Sequence, residues 1–313
     1  MSRILITGAS GFVGPHLARA LAAAGDEVHG TGLGGPPAEV ALAGWHDFDL
    51  LETAALDGAL RAARPDQVVH LAGQSSAGAS FADPEGTFRV NVEGTRRLLE
   101  AVARQAARAR VLVVSSSEVY GPQPEGTRVR EDAPCRPVSP YASSKAEAER
   151  LALEVAVARG LDLVVARAFG HTGPGQTDRF VVPAFARQLA EIEAGRAQPV
   201  LQVGNLEVTR DLCDVRDVVR AYRALLRDGR GGAVYNVCRG EGVRLTAVVE
   251  RLVARCRVPV RVEADPSRFR PADVPWLVGD PARIVDDTGW RAEIPLETTL
   301  ADVLEEWRGR ARA

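Results

Sequence analysis

Cysteine, net charge and long apolar runs are scarce in this chain, and each shortage excludes something. Four cysteines stand among 313 residues, Cys135, Cys213, Cys238 and Cys256, and none forms a Cys-x-x-Cys pair. That is no disulfide framework and no zinc spacing, so a reduced, cytoplasmic protein without a bound metal is expected. Lys and Arg total 39 against 41 Asp and Glu, a formal charge of −2. So balanced a chain has no electrostatic reason to bind nucleic acid or an anionic membrane surface. No stretch reaches the roughly 18–20 uncharged apolar residues of a membrane span. The N-terminus runs straight into a strand pattern, so no signal peptide is expected ahead of it. Internal repeats and low-complexity tracts are missing too. What is present is 46% apolar residues, enough core for one large α/β domain or one domain with a smaller lobe.

The first half alternates short apolar runs with helical spacing. Strands are expected at 3–7, 27–31, 45–49, 67–72, 110–115 and 162–168. Helices are expected at 12–24, 53–63, 84–106 and 140–159. Strands alternating with helices predict a parallel, doubly wound sheet with crossover helices. After residue 169 the rhythm breaks. "GHTGPGQ" is rich in glycine, 183–194 reads as helix, and shorter elements follow. The expected organisation is a dinucleotide-binding domain over 1–169 and a smaller α/β substrate lobe over 170–313. Segments near 214–237 are expected to return to the sheet. The polar, proline-rich loop 124–137 borders the expected site.

"ILITGASGFVG" (4–14) is a strand, a glycine turn and a helix start, with glycines at Gly8, Gly11 and Gly14. A turn without Cβ atoms lets a pyrophosphate approach. The helix behind it offers free N–H groups and the positive end of its dipole. Phe12 and Val13 belong to the same turn.

"SPYASSKAEAE" (139–149) opens a helix in which Tyr141 and Lys145 are four apart, on one face. A tyrosine titrates near pKa ~10. A neighbouring ammonium favours phenolate, so Tyr141 is expected to exchange a proton at lower pH. A hydroxyl at the end of the preceding strand, in "VVSSSEVYG" (113–121), completes an acid, a cation and a substrate-oxygen donor.

These stretches together resemble the short-chain dehydrogenase/reductase superfamily, and within it the extended branch that acts on nucleotide-sugars. The G-x-x-G-x-x-G spacing, "NVEGT" at Asn91 and the Tyr–Lys pair carry the resemblance. It implies a Rossmann-type fold. It makes Ser116, Tyr141 and Lys145 catalytic, with Glu118 where the family's dehydratases carry a base. Besides the glycine turn, it places Asp49, Leu50, Leu71, Ala72, Gly73, Asn91, Tyr141, Lys145, Phe169 and His171 against the cofactor. Lys145 would also bond the nicotinamide ribose. Ser117, Glu118, Gly170, Phe180, Val181, Asn205 and Leu206 would face the substrate. Arg187, Arg210 and Arg270 are candidates for bidentate phosphate contacts.

Within the branch the chain resembles the GDP-6-deoxy-4-keto-D-mannose reductases, and next to them the GDP-mannose 4,6-dehydratases. Reduction of a 4-keto sugar, dehydration with Glu118 as base, and epimerisation all stay open. So does a dinucleotide-binding regulatory module without chemistry. "GHTGPGQ" and the lack of a Trp after Arg210-Asp211 favour the reductases. One position departs from them: Gly170 stands where they carry Asn. The end of the second strand, "HGTGLGG" (29–35), has neither the acid that selects NAD nor the Arg that selects NADP. NAD(P)H is expected, with NADP preferred. In the family the two long helices pair with their copies, so a GDP-sugar-binding homodimer is expected.

Overall fold

Residues 1–37, 40–269 and 273–312 are described by the computed structural model. In chain order the first half holds β1 (Arg3–Thr7), α1 (Val13–Ala23), β2 (Glu27–Gly32), β3 (Gly44–Asp47), α2 (Thr53–Ala63), β4 (Gln67–His70), α3 (Ala77–Ser80) and α4 (Pro84–Phe88). A π turn, Arg89–Glu93, leads into α5 (Gly94–Gln105), then β5 (Arg110–Ser116), the tight turn Ser117–Tyr120, α6 (Pro140–Arg159) and β6 (Leu163–Ala168). The second half holds β7 (Gly170–Thr172), α7 (Val181–Glu193), β8 (Val200–Val203), β9 (Thr209–Asp214), α8 (Val215–Asp228), β10 (Val234–Val237), β11 (Gly242–Arg244) and α9 (Leu245–Val253). It closes with β12 (Arg261–Ala264), β13 (Trp276–Leu277), α10 (Ala282–Thr288) and α11 (Leu296–Arg312).

The main sheet has the order β10-β6-β5-β4-β1-β2-β3, and every neighbouring pair is parallel. Strand side chains alternate between faces, so each strand feeds two cores. Ile4, Ile6, Leu112 and Val164 pack under α1 and α8, while Leu5, Val68, Val111 and Val113 pack under α2, α5 and α6. The winding reverses between β1 and β4, which opens a crevice at their carboxyl ends, where such sheets take ligands.

The second half returns to this sheet through β10, which lies beside β6, and through α8, which packs on α1. The remainder forms a lobe. Its small sheet runs β11-β9-β13 with β7 beside β9, β8 pairs with β12, and α7, α9 and α11 close a third apolar core.

Two expected elements differ. The helix over 84–106 runs without interruption from 84 to 105 but carries a π turn, and Asn91 lies inside that turn with its side chain buried. Its carboxamide bonds Gln74 and Ser144, and a regular α-helix would not aim it there. The strand over 45–49 ends at Asp47, because the Asp49 carboxylate accepts the Leu51 N–H at 2.9 Å and turns the chain toward α2.

Candidate active site

The crevice floor is the turn after β1. A Cβ on Gly8 would lie 2.6 Å from the Ala72 nitrogen, and one on Gly14 would lie 2.3 Å from the Ala9 oxygen. Those two glycines let the turn close on β4 and let α1 close on the turn. Gly11 differs: its N–H closes the turn on the Gly8 carbonyl at 3.0 Å, and only that oxygen would crowd a Cβ. No side chain caps α1, so no side chain occupies its first N–H groups. A tight glycine turn leading into an uncapped helix N-terminus suits an anion.

The end of β7 and the loop after it, 171–176, pack on the start of α1. The Phe12 ring stacks on His171 at 6.0 Å and meets His16 edge-on at 5.7 Å. His16 Nε2 donates to the Pro174 carbonyl at 2.8 Å. Phe169, just before β7, is buried against Tyr120. Val13 and Leu71 pack on the core beneath. The Leu50 side chain is buried too, and a Cβ on Gly94 would strike it at 2.5 Å.

On the far wall, β5 delivers Ser115 and Ser116. The Ser115 hydroxyl is buried without a partner. The Ser116 hydroxyl accepts the Glu118 N–H at 3.2 Å and hydrogen-bonds the Tyr141 side chain. Ser117 is buried in the turn. Ser139 caps α6 through the Ala142 N–H, and Pro140 occupies the first turn, so Tyr141 and Lys145 sit on a well-started helix. Both are buried. Lys145 Nζ donates to the Val114 carbonyl at 2.9 Å, and a Cβ on Gly73 would come within 3.8 Å of it.

Burial pushes the Lys145 amine down to about 8. Tyr141 moves the other way: burial raises it, the Glu118 carboxylate raises it further, and the Ser116 hydroxyl opposes only part of this. The lowering expected from the helix spacing is not found: burial of the phenolate sets the direction instead. Tyr141 therefore holds its proton. Loss of the Lys145 charge follows rising pH, so turnover is expected to decline as pH climbs through about 8. A pH–rate profile checks this, and a rate flat to high pH contradicts it.

In the lobe, Arg210 and Asn205 converge on Asp273, at 3.4 and 3.2 Å. Arg210 also donates to the carbonyls of Thr209 and Val274. Arg187 pairs with Asp178 and Glu191 on its own side of the lobe. Phe180 precedes α7, Val181 begins it, and Leu206 packs into the lobe core. Arg270 lies outside the described residues.

The family model for GDP-mannose 4,6 dehydratase matches residues 5–303. The chain belongs to that family. It is 40% identical over 311 residues to GDP-6-deoxy-D-mannose reductase of Pseudomonas aeruginosa, covering 99% of this chain and 98% of the relative. It is 30% identical over 348 residues to GDP-mannose 4,6-dehydratase of Vibrio cholerae, covering 97% and 93%. The structure of RMD from Pseudomonas aeruginosa complexed with NADPH superposes with a TM-score of 0.88 at 37% identity, covering 99% of this chain and all of that one. UDP-glucose 4-epimerase of Thermus thermophilus in complex with NAD gives a TM-score of 0.89 at 30% identity, covering 98% and 99%. The family thus extends across the whole Rossmann sheet and lobe.

Gly170 has a structural reason of its own in this member of the family. It opens β7 opposite Leu212, and a Cβ there would meet the Asp211 carbonyl oxygen at 2.8 Å and Leu212 at 2.9 Å. Gly170→Ala is expected to cost about 1–3 kcal/mol through overpacking. A thermal midpoint equal to wild type contradicts this.

Several residues of the site escaped sequence reasoning. The Ser80 hydroxyl accepts the Tyr141 N–H at 3.1 Å across 61 positions, and no local pattern signals such a pair. Asp211 is buried and accepts N–H groups from Arg239, Gly240 and Gly279, which draws three lobe segments together. Asp273 ends "RFRPAD", and an acid close to a basic run is the signal available for it.

Proposed function

We propose that this protein reduces the 4-keto group of a nucleotide-activated 6-deoxyhexose with NAD(P)H, and that the reaction is GDP-4-keto-6-deoxy-D-mannose to GDP-D-rhamnose. The observation that carries the reading is a protonated Tyr141 beside the Ser116 hydroxyl, with Lys145 a helical turn away. The full-length likeness to a GDP-6-deoxy-D-mannose reductase supports the substrate.

The crevice fits a dinucleotide: Gly8, Gly11 and Gly14 shape the turn, and the N-terminus of α1, which no side chain caps, would meet its pyrophosphate. The nicotinamide, when bound, supplies the hydride. The chain's own groups handle the oxygen. Ser116 donates a hydrogen bond to the C4 carbonyl oxygen, and Tyr141 transfers its proton there as the alcohol forms. Lys145, one helical turn on and held by the Val114 carbonyl, would bond the nicotinamide ribose when the cofactor is bound. Segment 29–35 at the end of β2 carries neither the acid that would select NAD nor an Arg for a 2′-phosphate. The likeness to a reductase solved with NADPH supports NADPH over NADH.

A second reading is supported by Glu118, whose carboxylate acts on Tyr141. There it removes the C5 proton of an oxidised GDP-hexose, and the enzyme is a 4,6-dehydratase. The deciding assay has two arms. Cofactor consumption with GDP-4-keto-6-deoxymannose and NADPH, with NADH in parallel, supports reduction. Formation of keto-sugar from GDP-mannose without net cofactor change overturns it and makes Glu118 the base.

The protein is proposed to act as a cytoplasmic homodimer. Its four free cysteines suit a reducing compartment. Phe81, Phe88, Val138 and Val157 are exposed around α4 and α6, a face suited to a second copy. Light scattering giving a monomer mass contradicts the dimer.

A further inference from the structure

His70 ends β4 and is buried, and neither the cofactor cradle nor the proton donor uses it. An apolar residue would fill its place without the cost of desolvating an imidazole. Its two ring nitrogens have different partners. Nδ1 lies 2.8 Å from Thr7 Oγ1, and Nε2 lies 3.0 Å from Thr95 Oγ1.

The direction of every proton in this chain follows. The Thr95 hydroxyl donates to the Asn91 carbonyl at 2.6 Å, since a carbonyl can only accept. Thr95 Oγ1 therefore accepts from His70, which puts the ring proton on Nε2. Nδ1 is then an acceptor, and the Thr7 hydroxyl donates to it. Thr7 Oγ1 in turn accepts the Ala72 N–H at 3.4 Å. Burial, with the Lys145 charge adding to it, lowers His70 to about 3, so the ring stays neutral.

The chain reaches the catalytic helix at Asn91. Its Oδ1 accepts the Gln74 N–H at 2.8 Å, and its Nδ2 donates to Ser144 Oγ at 2.9 Å. The Ser144 hydroxyl donates to the Tyr141 carbonyl at 2.8 Å. Segment 72–74, which runs past Lys145, is thus tied at one end to Thr7, where β1 enters the glycine turn, and at the other, through Asn91, to α6.

We propose that His70 is a positioning residue: through this one-directional chain it sets the spacing between the dinucleotide crevice and the helix that carries Tyr141 and Lys145. The inference rests on the reading of that crevice as a nicotinamide cofactor site.

The test compares His70→Leu, His70→Gln and Thr95→Val with wild type. NADPH affinity is read by fluorescence, and turnover by kcat and KM for the keto-sugar. His70→Leu is expected to weaken NADPH about tenfold and lower kcat about tenfold, with sugar KM within about twofold. His70→Gln, which keeps one donor and one acceptor, is expected to recover most of both. A folded His70→Leu protein with wild-type NADPH affinity and kcat overturns the proposal. Should that variant not fold, Thr95→Val breaks the last link with little change of shape, and about threefold weaker NADPH is expected. Unchanged affinity there overturns the proposal as well. Nitrogen NMR of the wild-type protein without cofactor gives an independent readout. A neutral ring with its proton on Nε2 down to pH 5 is expected, and an Nδ1–H tautomer or a charged ring overturns the proposal. Wild type that binds NADPH but leaves the keto-sugar untouched removes the proposed reaction alone, and NADPH affinity and the tautomer still decide the role of His70.

Discussion

Tyr141→Phe is expected to lower turnover by about 10²–10⁴-fold, the range for loss of a general acid, while NADPH still binds. The substitution removes one oxygen from a buried ring, so packing survives. The Ser116 hydroxyl loses a partner, but the Glu118 N–H still donates to it. The Tyr141 N–H keeps its bond to Ser80, because that bond is made by the backbone. The start of α6 is therefore expected to stay in place, with the cradle at Gly8–Gly14 untouched. Steady-state turnover and NADPH fluorescence on one sample separate the two effects. Lost binding would mean that the ring, not its proton, is what the crevice needs. Full turnover would remove Tyr141 from the proton transfer.

Arg167→Met is expected to cost roughly 3–5 kcal/mol. Arg167 lies on β6 opposite Ser115, with 7% of its side chain exposed, and its partner Glu149 is equally buried. The guanidinium reaches Glu149 at 2.6 Å, donates to the Glu131 carbonyl at 3.1 Å and lies 4.7 Å from the centre of the Tyr120 ring. The Tyr120 hydroxyl then bonds Asn236 on β10 at 2.6 Å. One cation thus joins α6, β6 and loop 124–137. Methionine keeps much of the volume but leaves the Glu149 carboxylate buried and unpaired, which is the expensive half of the loss. A fall in melting midpoint of roughly 5–10 °C is expected. Adding Glu149→Leu should recover much of it, because the uncompensated charge is then gone. A double variant no better than the single one would show that the contacts to loop 124–137, not the buried carboxylate, carry the cost.

The positions legible in the sequence are those whose signal is local. Gly8, Gly11 and Gly14 announce a turn because backbone without Cβ is a chemical fact of each residue. Tyr141 and Lys145 announce a shared face because helical spacing brings residues four apart together. The strand–helix alternation implies parallel pairing, since parallel neighbours need crossovers. None of these readings requires knowing what lies across the crevice.

Other positions were decided by partners far away in the chain. Arg210 reads as a phosphate ligand, and the fold brings Asp273, more than sixty residues on, against it and Asn205. Helical spacing predicts a lower-titrating Tyr141 beside Lys145. Burial and Glu118, in the turn after β5, raise it instead. The helix over 84–106 reads as regular, yet it carries a π turn at whose centre Asn91 reaches Gln74 and Ser144. The doubly wound parallel sheet, the glycine turn and the Tyr–Lys helix are legible from residue order, because periodicity and glycine act within a few residues. The direction in which Tyr141 shifts, the pairing of the arginines and the π turn at Asn91 arise from packing, because desolvation and charge depend on neighbours that the chain brings together only when folded.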